Sequence, residues 1–157
     1  MKVNKIIKST VEEELEITGA TLLSVEEVIE YLTEEEIEYN DMWWLRSPGT
    51  YSDYVACVNY DGYIYNYGNY VNDRTNYVRP ALQIKNLESS NFKIGDIFEI
   101  GNYEFKIISK NLAWMYEQDI GCCAFNEDFE KGNDYETSDV KKFVDKWFRL
   151  LIFNESE

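Results

Sequence analysis

The chain of 157 residues contains no histidine and only three cysteines, Cys57, Cys122 and Cys123. Without an imidazole it has no Ser–His or Cys–His nucleophile pair and no zinc site that needs histidine ligands. Three thiols are also too few for a site of four cysteines, and none of them has CxxC spacing. We therefore interpret the cysteines as small buried side chains in a reducing compartment, and we expect no metal and no cofactor.

Long apolar runs and catalytic motifs are missing as well. No run of about 18 apolar residues is present to cross a membrane, and the opening residues MKVNKIIKST are too short and too polar for a signal peptide. There is no Gly-rich phosphate loop, and with 30 acidic residues a pair of carboxylates says little about glycosidase chemistry. These absences favour a cytoplasmic protein that is not an enzyme and has no contact with a membrane.

Positive charge is scarce. Lys and Arg together number 15 against 30 Asp and Glu, which gives a formal net charge of −15 at pH 7. A field of this sign disfavours direct binding to nucleic acid, because such binding depends largely on cations that contact phosphates. Two interpretations stay open: the acidic surface keeps the protein soluble, or it meets a basic protein partner.

Tyrosine, in contrast, is abundant: the chain has 13, and most of them lie in residues 43–84. Within this stretch Asp61-Gly62 separates two runs rich in aromatic and β-branched residues. The pattern predicts a hairpin with one strand over residues 54–60 and a return strand that begins at Tyr63. Gly68 is expected to end or to bulge the return strand.

Two further strands are predicted in the same stretch. The first covers residues 43–45 and stops at the turn signal Ser47-Pro48-Gly49. The second covers residues 77–84, where Pro80 removes a backbone donor and so predicts an edge strand or a bulge.

Helical patterns lie on both sides of this stretch. Ser24 and Glu27 form a capping box for a helix over residues 25–32, which a short buried strand at 20–23 precedes. The acidic run at 34–36 predicts a solvated turn or a short helix. Beyond a polar linker at 85–91, the predicted elements are two strands joined at Gly101-Asn102 and a helix capped by Ser138, at residues 97–100, 103–109 and 139–151.

The segments WWLRSPG, DG and VRPAL, at residues 43–49, 61–62 and 78–82, carry a resemblance to a known family. They are similar to the signature of a bacterial family of domains of unknown function related to the C-type-lectin-like fold. Formylglycine-generating-enzyme-like proteins and the variable proteins of diversity-generating retroelements use the same fold. The resemblance implies an α+β architecture, a C-type-lectin-like mixed antiparallel sheet with two helices.

The order of the segments departs from that family. Residues 10–84 resemble its C-terminal half, whereas residues 92–157, after the linker at 85–91, resemble its N-terminal half. We therefore predict a single domain over residues 1–157 with its halves circularly permuted. The open alternative is that halves are exchanged between molecules, so that the protein is a domain-swapped homodimer rather than a monomer.

The buried and turn residues of the signature are expected to be structural. Trp43 and Trp44, at successive strand positions, point to opposite faces, so at most one of them fills the main core. Arg46 and Arg79 lie in apolar runs, where a guanidinium either binds an anion or bonds to backbone carbonyls or a buried carboxylate; we favour the second interpretation. The remaining structural assignments are Pro48, Gly49, Gly62 and Pro80.

Calcium enters through the resemblance, since some C-type lectins bind sugar through it. Oxygen donors lie nearby in sequence, but the EPN or QPD triplet of the sugar-binding members is missing. The donors are Asp53, Asn59, Asp61, Asn72 and Asp73. We predict that they hold no metal.

The tyrosines and asparagines of residues 51–77 are the predicted binding surface. Tyr offers a large amphipathic contact area at low rotamer entropy and Asn adds adaptable hydrogen bonds, as in antibody paratopes. In C-type-lectin-like folds this region resembles the long loop and final hairpin that carry ligand contacts; the competing interpretation is that alternate tyrosines only pack a sheet. The predicted binding residues are Tyr51, Tyr54, Tyr60, Tyr63, Tyr65, Asn66, Tyr67, Asn69, Tyr70, Asn72 and Tyr77.

We therefore expect a non-catalytic module that recognises a protein partner, or less readily a glycan, through this surface. The alternative is a small acidic inhibitor from a phage or mobile element, of the anti-CRISPR kind. Its carboxylates would mimic nucleic-acid phosphates and block a host defence nuclease, and its binding would weaken steeply with salt.

Overall fold

The computed structural model describes residues 15–153, which fold as an α+β protein. The α-helices of this part of the chain are α1 (Val25–Tyr31), α2 (Glu34–Ile37) and α3 (Asp139–Phe153). Its strands are β1 (Ile17–Thr21), β2 (Trp43–Pro48), β3 (Tyr54–Val58), β4 (Ile64–Tyr70), β5 (Ala81–Ile84), β6 (Ile97–Ile100), β7 (Tyr103–Ser109) and β8 (Leu112–Met115). Short 3-10 turns occur at Leu87–Ser89, Phe129–Lys131 and Tyr135–Thr137.

The strands form two antiparallel sheets. The larger sheet has the order β1-β5-β8-β7-β6, and the smaller one has the order β2-β3-β4. Strand β5 pairs with β1 on one side and with β8 on the other. Because β1 and β5 precede the predicted linker and β8 follows it, the two parts of the sequence share one sheet within one molecule.

Buried side chains form two hydrophobic clusters on the two faces of these sheets. The main cluster joins the larger sheet to α3, for example through Phe105 and Val144. The second cluster joins the sheets to α1 and α2, for example through Val28 and Trp114. Strand β3 supplies both clusters, because its residues alternate in direction and all but Tyr54 are buried.

Trp43 and Trp44 follow the same alternation. Both are fully buried, but Trp44 belongs to the main cluster and Trp43 to the second. The ring of Trp44 meets Phe125 edge-on with centroids 5.8 Å apart, while Trp43 packs at 5.8 Å from Trp114. The prediction that only one of them fills the main core is confirmed.

The elements with the strongest local signals are confirmed. Helix α1 has the predicted capping box, in which the backbone N–H of Glu27 donates to Ser24 Oγ at 3.1 Å and that of Ser24 donates to Glu27 Oε1 at 2.9 Å. The hairpin of β6 and β7 has the predicted boundaries. The hydroxyl of Ser138 accepts from the backbone N–H of Lys141 at 3.0 Å, which caps α3.

The strand predicted over residues 77–84 requires correction. Only Ala81–Ile84 is a strand, and it lies inside the larger sheet rather than at an edge. Pro80 immediately precedes it, so its missing N–H leaves no gap in the ladder, and its carbonyl accepts from Met115 N at 3.1 Å. Tyr77 instead makes isolated bridges to Trp43 and Cys122.

Other boundaries differ from the sequence analysis. Strand β1 covers Ile17–Thr21 rather than residues 20–23, and β8 was not predicted, because its residues LAWM are all buried and show no alternation. The described residues contain three α-helices rather than two, since the acidic run at 34–36 forms α2. Residues 85–91 include a 3-10 turn whose Leu87 is buried in the main cluster.

Candidate functional site

The hairpin of β3 and β4 carries most of the tyrosine-rich surface, while Tyr51 lies just before β3 and Asn72 just after β4. At its turn the Asp61 carboxylate accepts from the backbone N–H of Tyr63 at 3.1 Å, and Gly62 N donates to Asn59 O at 2.9 Å. Gly62 has a φ of 89°, a conformation that costs glycine little. The turn therefore fixes the backbone between Tyr60 and Tyr63, which both lie at this end of the hairpin.

A bulge changes the direction of β4 halfway along. The pairing with β3 passes from Cys57↔Tyr65 to Val55↔Asn69, so β4 has extra residues at this point. Gly68 lies in the bulge with a φ of 99°, and a Cβ there would stand 2.4 Å from the carbonyl oxygen of Val55. Gly68 thus bulges the strand and does not end it.

Seven of the eleven predicted binding residues are exposed. Their tyrosines have between 52% and 69% of their surface accessible, and they extend from the turn of the hairpin to its opposite end. The seven residues, which we call the tyrosine surface, are Tyr51, Tyr60, Tyr63, Asn66, Tyr67, Tyr70 and Asn72.

Tyr65 and Asn69 have contacts within the protein. Tyr65 packs partly against the main cluster, and its hydroxyl accepts from Asn59 Nδ2 at 2.9 Å. The amide of Asn69 donates to Asp73 Oδ2 at 2.8 Å and accepts from the backbone N–H of Tyr70 at 2.9 Å. Both side chains hold the hairpin and the loop after it in place.

Tyrosine rings contact one another at both ends of β4. The ring centroid of Tyr54 lies 5.4 Å from that of Tyr51 and 4.7 Å from that of Tyr70, and Tyr65 stacks on Tyr67 at 5.2 Å. The neighbouring hydroxyl of Tyr70 raises the pKa of Tyr54 to about 12. Rings that already support one another lose less rotamer freedom when a partner binds.

Tyr77, the last of the predicted binding residues, lies apart from this hairpin. Its backbone N–H donates to Met42 O at 2.7 Å and its carbonyl accepts from Trp44 N at 3.0 Å. Its ring packs against the second cluster. Tyr77 therefore lies beside β2, on the side of the smaller sheet opposite β4.

Arg46 has polar partners at both terminal nitrogens of its guanidinium. Its Nη1 donates to the carbonyl of Leu22 and to Glu27 Oε1, both at 2.6 Å, and its Nη2 donates to Glu27 Oε2 at 3.1 Å. Burial acts to raise the pKa of Glu27, but the bonds from Arg46 and from the backbone of Ser24 outweigh it and lower that pKa. The bond to Glu27 raises the pKa of Arg46. Arg46 thus ties α1 to β2.

Arg79 has a different environment. It is 1% exposed, and its Nε donates to the carbonyl of Gln118 at 3.0 Å. Its guanidinium carbon lies 4.1, 4.3 and 4.8 Å from the ring centroids of Tyr39, Trp114 and Trp43. Burial lowers the pKa of Arg79 to about 10.

A cavity that was not predicted lies beside Arg79, which lines it together with Tyr39, Trp114 and residues of α2. It has a volume of about 400 Å³. These residues come from separate segments of the chain, and no spacing unites them. The only sequence signal was an arginine within the apolar run YVRPALQI.

The expectation of three buried thiols holds for Cys57 but is wrong for Cys122, which is exposed, and Cys123 is only partly buried. Two of the three thiols are unsuited to nucleophilic chemistry. Cys57, Cys122 and Cys123 are all free, and burial raises the pKa of Cys57 and of Cys123 to about 12. A thiol that keeps its proton at neutral pH is a weak nucleophile.

Among the described residues, no group of three or more Cys, Asp or Glu side chains could hold a metal ion. Within residues 15–153 no helix has both the length and the apolar composition needed to span a bilayer.

Comparison with known proteins adds one similarity. Neither a curated protein nor a solved structure matches the chain. One family model matches part of the chain. The matched part contains β1 to β5, and with them the whole tyrosine surface and Arg79, and it ends before β6. Residues 11–86 match the family described as Domain of unknown function (DUF6273).

Proposed function

We propose that this chain is a non-catalytic binding module that recognises a protein partner through the tyrosine surface. The observation that carries the proposal is the concentration of exposed rings: five of the eight large hydrophobic side chains exposed in residues 15–153 belong to it. The other three are Ile29, Ile94 and Phe129, which are on separate elements. A cluster of exposed rings on one hairpin marks an interaction site, whereas single exposed residues need no explanation.

The backbone beneath these rings is well supported. Val55 and Cys57 anchor β3 in the main cluster, and Ala56 and Val58 anchor it in the second. A hairpin held from both faces presents its tyrosines with little loss of conformational entropy on binding. Tyrosine on a rigid support is among the residues that dominate binding energy at protein interfaces.

A C-type-lectin-like fold with permuted halves is part of the proposal. It is supported by the match of residues 11–86 to the family model and by the sheet that β1 and β5 share with β8. In such a fold the hairpin of β3 and β4 would be the ligand-contacting element. The protein would act as a cytoplasmic monomer whose net charge of −15 keeps it soluble, while the rings rather than the charges contact the partner.

An acidic inhibitor of a host nuclease is the second candidate. The observation that favours it is the same net charge, together with the exposed carboxylates of α1 and α2, among them Glu26, Glu30 and Glu34. Such a surface would compete with nucleic acid for a basic groove.

The test is the affinity of a partner captured from the host and then purified. We expect the triple variant Tyr60→Ser, Tyr63→Ser, Tyr67→Ser to lose at least about a hundredfold in Kd by calorimetry. The matched control, Ile29→Ser, Ile94→Ser, Phe129→Ser, also removes exposed apolar surface and should bind like the wild type.

Salt and charge variants distinguish the two candidates. For the tyrosine surface, Kd should change little between ~50 and ~500 mM NaCl, because rings rather than ion pairs supply the affinity. For the acidic inhibitor, salt should weaken binding steeply and Glu26→Gln, Glu30→Gln, Glu34→Gln should reduce it. A partner that binds the tyrosine triple variant as tightly as the wild type overturns the proposed function.

A further inference from the structure

The cavity beside Arg79 has the size of a small-molecule site. Its volume of about 400 Å³ falls within the range of roughly 300–1,000 Å³ that is usual for such sites. Arg79 and Trp114 are buried at its inner end, while several carboxylates at its mouth are exposed. The side chains that matter here are Tyr39, Arg79 and Trp114, and the mouth residues Glu35, Glu38 and Glu117.

Two hydrogen-bond donors at the inner end have no acceptor. Within residues 15–153, neither Arg79 Nη1 nor Trp114 Nε1 has a hydrogen-bond partner. Both residues are at most 1% exposed, so water does not replace the missing acceptor from bulk solvent. Native proteins pair almost all buried polar groups, and an exception calls for a ligand or another explanation.

Several other polar groups of the wall are already engaged. The hydroxyl of Tyr39 donates to Asp119, and Lys106 is paired with Glu36. Arg79 Nε already donates a hydrogen bond to the carbonyl of Gln118. The two unpaired donors are therefore the groups at this end that remain to bind an oxygen atom. Because one of them carries positive charge, a carboxylate suits them best.

The mouth of the cavity favours a positively charged group, in contrast to the inner end. Glu35, Glu38 and Glu117 are exposed, and no ion pair with another described residue neutralises them. Carboxylates beside the rings of Tyr39 and Tyr116 favour an ammonium group. Glu117 also has a φ of 59°, the one positive value among the described non-glycine residues, and such conformations concentrate at functional sites.

We propose that this cavity binds a small zwitterion of the amino-acid type. Its carboxylate accepts hydrogen bonds from Arg79 Nη1 and Trp114 Nε1, and its ammonium group lies among the carboxylates of Glu38 and Glu117. The guanidinium carbon lies 4.3 Å from the Trp114 ring centroid, so the two residues that carry the unpaired donors are in contact. Since both donors are shielded from water, the side chains that cover them must move aside when the ligand enters.

Ligands with a single charge fit less well. A simple cation would meet the buried charge of Arg79, and a simple anion would have to pass the acidic mouth. A zwitterion matches the charge at both ends of the cavity. The need for both charges makes the cavity specific for zwitterions over simple cations and anions.

The experiment uses the whole chain and a panel of free amino acids, followed by thermal shift and calorimetry. We expect at least one amino acid to raise Tm and to bind. The matching amine without the carboxylate and the N-acetylated amino acid should each bind at least about tenfold more weakly.

Variants place the ligand in the cavity. Glu38→Gln with Glu117→Gln should weaken binding by about tenfold, while Glu26→Gln with Glu30→Gln, the same charge change on α1, should leave it unchanged. Arg79→Met should abolish binding. If that variant does not fold, the variant with Glu38→Gln and Glu117→Gln tests the proposal without it. The proposal is wrong if no amino acid binds, if the amine or the acetylated form binds equally well, or if the mouth pair has no effect.

Discussion

Arg46 and Arg79 have similar positions in the sequence and opposite environments in the fold. Each lies in an apolar run shortly before a proline. The side chain of Arg46 is 31% exposed and forms an ion pair with Glu27, whereas Arg79 is buried against three aromatic rings. The pKa of Arg46 is raised and that of Arg79 is lowered to about 10.

The difference shows two ways to accommodate a guanidinium. Arg46 lies where α1 supplies a carboxylate that its own capping box already orients. Arg79 lies where Tyr39, Trp43 and Trp114 converge, so ring faces stabilise its charge and leave one of its nitrogens without an acceptor. The first arginine completes a structural link, and the second lines a cavity and keeps an unpaired donor.

The largest expected effect is on Arg79. Arg79→Ala should lower the free energy of unfolding by about 3–5 kcal/mol, since it leaves a hole between three rings. Arg79→Met refills that volume and removes the unpaired donor, so it should cost only about 1–2 kcal/mol. Urea denaturation measures both, and equal losses would mean that the packing around Arg79 contributes little.

Arg46 should matter less. Arg46→Ala should cost about 1–2 kcal/mol, because the pair with Glu27 is partly buried but still reaches solvent. The matched control is Arg74→Ala, whose pair with Glu127 is largely exposed and should contribute less than about 0.5 kcal/mol. If the two variants are equally stable, the contacts of Arg46 add nothing beyond a surface ion pair.

The two arginine sites should respond to pH in separate windows. The folded pKa of Glu27 lies below 4.5, so its contribution is complete above pH 4.5 and is lost as pH falls through the folded value. The stability gap between wild type and Glu27→Gln should therefore narrow in acid. For Arg79 the folded pKa of about 10 lies below 12.5, so the wild type should gain stability over Arg79→Met as pH rises beyond 10. Thermal unfolding measures both stability differences. If neither changes with pH, in acid for Glu27→Gln and above pH 10 for Arg79→Met, the pKa directions given for these two residues are wrong.

Salt should give the smallest effect. Raising NaCl should reduce the cost of Arg46→Ala by a few tenths of a kcal/mol, roughly the share that screening removes from a partly exposed pair. The cost of Arg79→Met should not change, because solvent ions do not reach the rings that surround Arg79. If Arg46→Ala and Arg79→Met showed the same salt dependence, the two arginines would not differ in their access to solvent ions.

Local signals in the sequence predicted most elements of the fold. The capping box of α1, the turn at Gly62 and the Gly101-Asn102 turn each depend on residues close together in the chain. Strand β8 was not predicted, because a strand whose side chains are all buried shows no alternation of apolar and polar residues. Pro80 was misplaced because its position before an interior strand depends on pairing with β8, which is distant in sequence.

The candidate sites were predictable to different degrees. The tyrosine surface follows from a composition that is visible in one stretch, although the partial burial of Tyr65 and Tyr77 depends on tertiary contacts. The cavity at Arg79 could not be predicted, because its rings and carboxylates come together only in the folded chain.

Hydrogen–deuterium exchange of the chain with and without its purified partner tests the central claim most directly. The account predicts that binding protects the amides of residues 59–73, which carry most of the tyrosine surface, and leaves those of α1 and α2 unchanged. Protection confined to α1 and α2, with residues 59–73 exchanging as in the free protein, would contradict it and favour an acidic inhibitor.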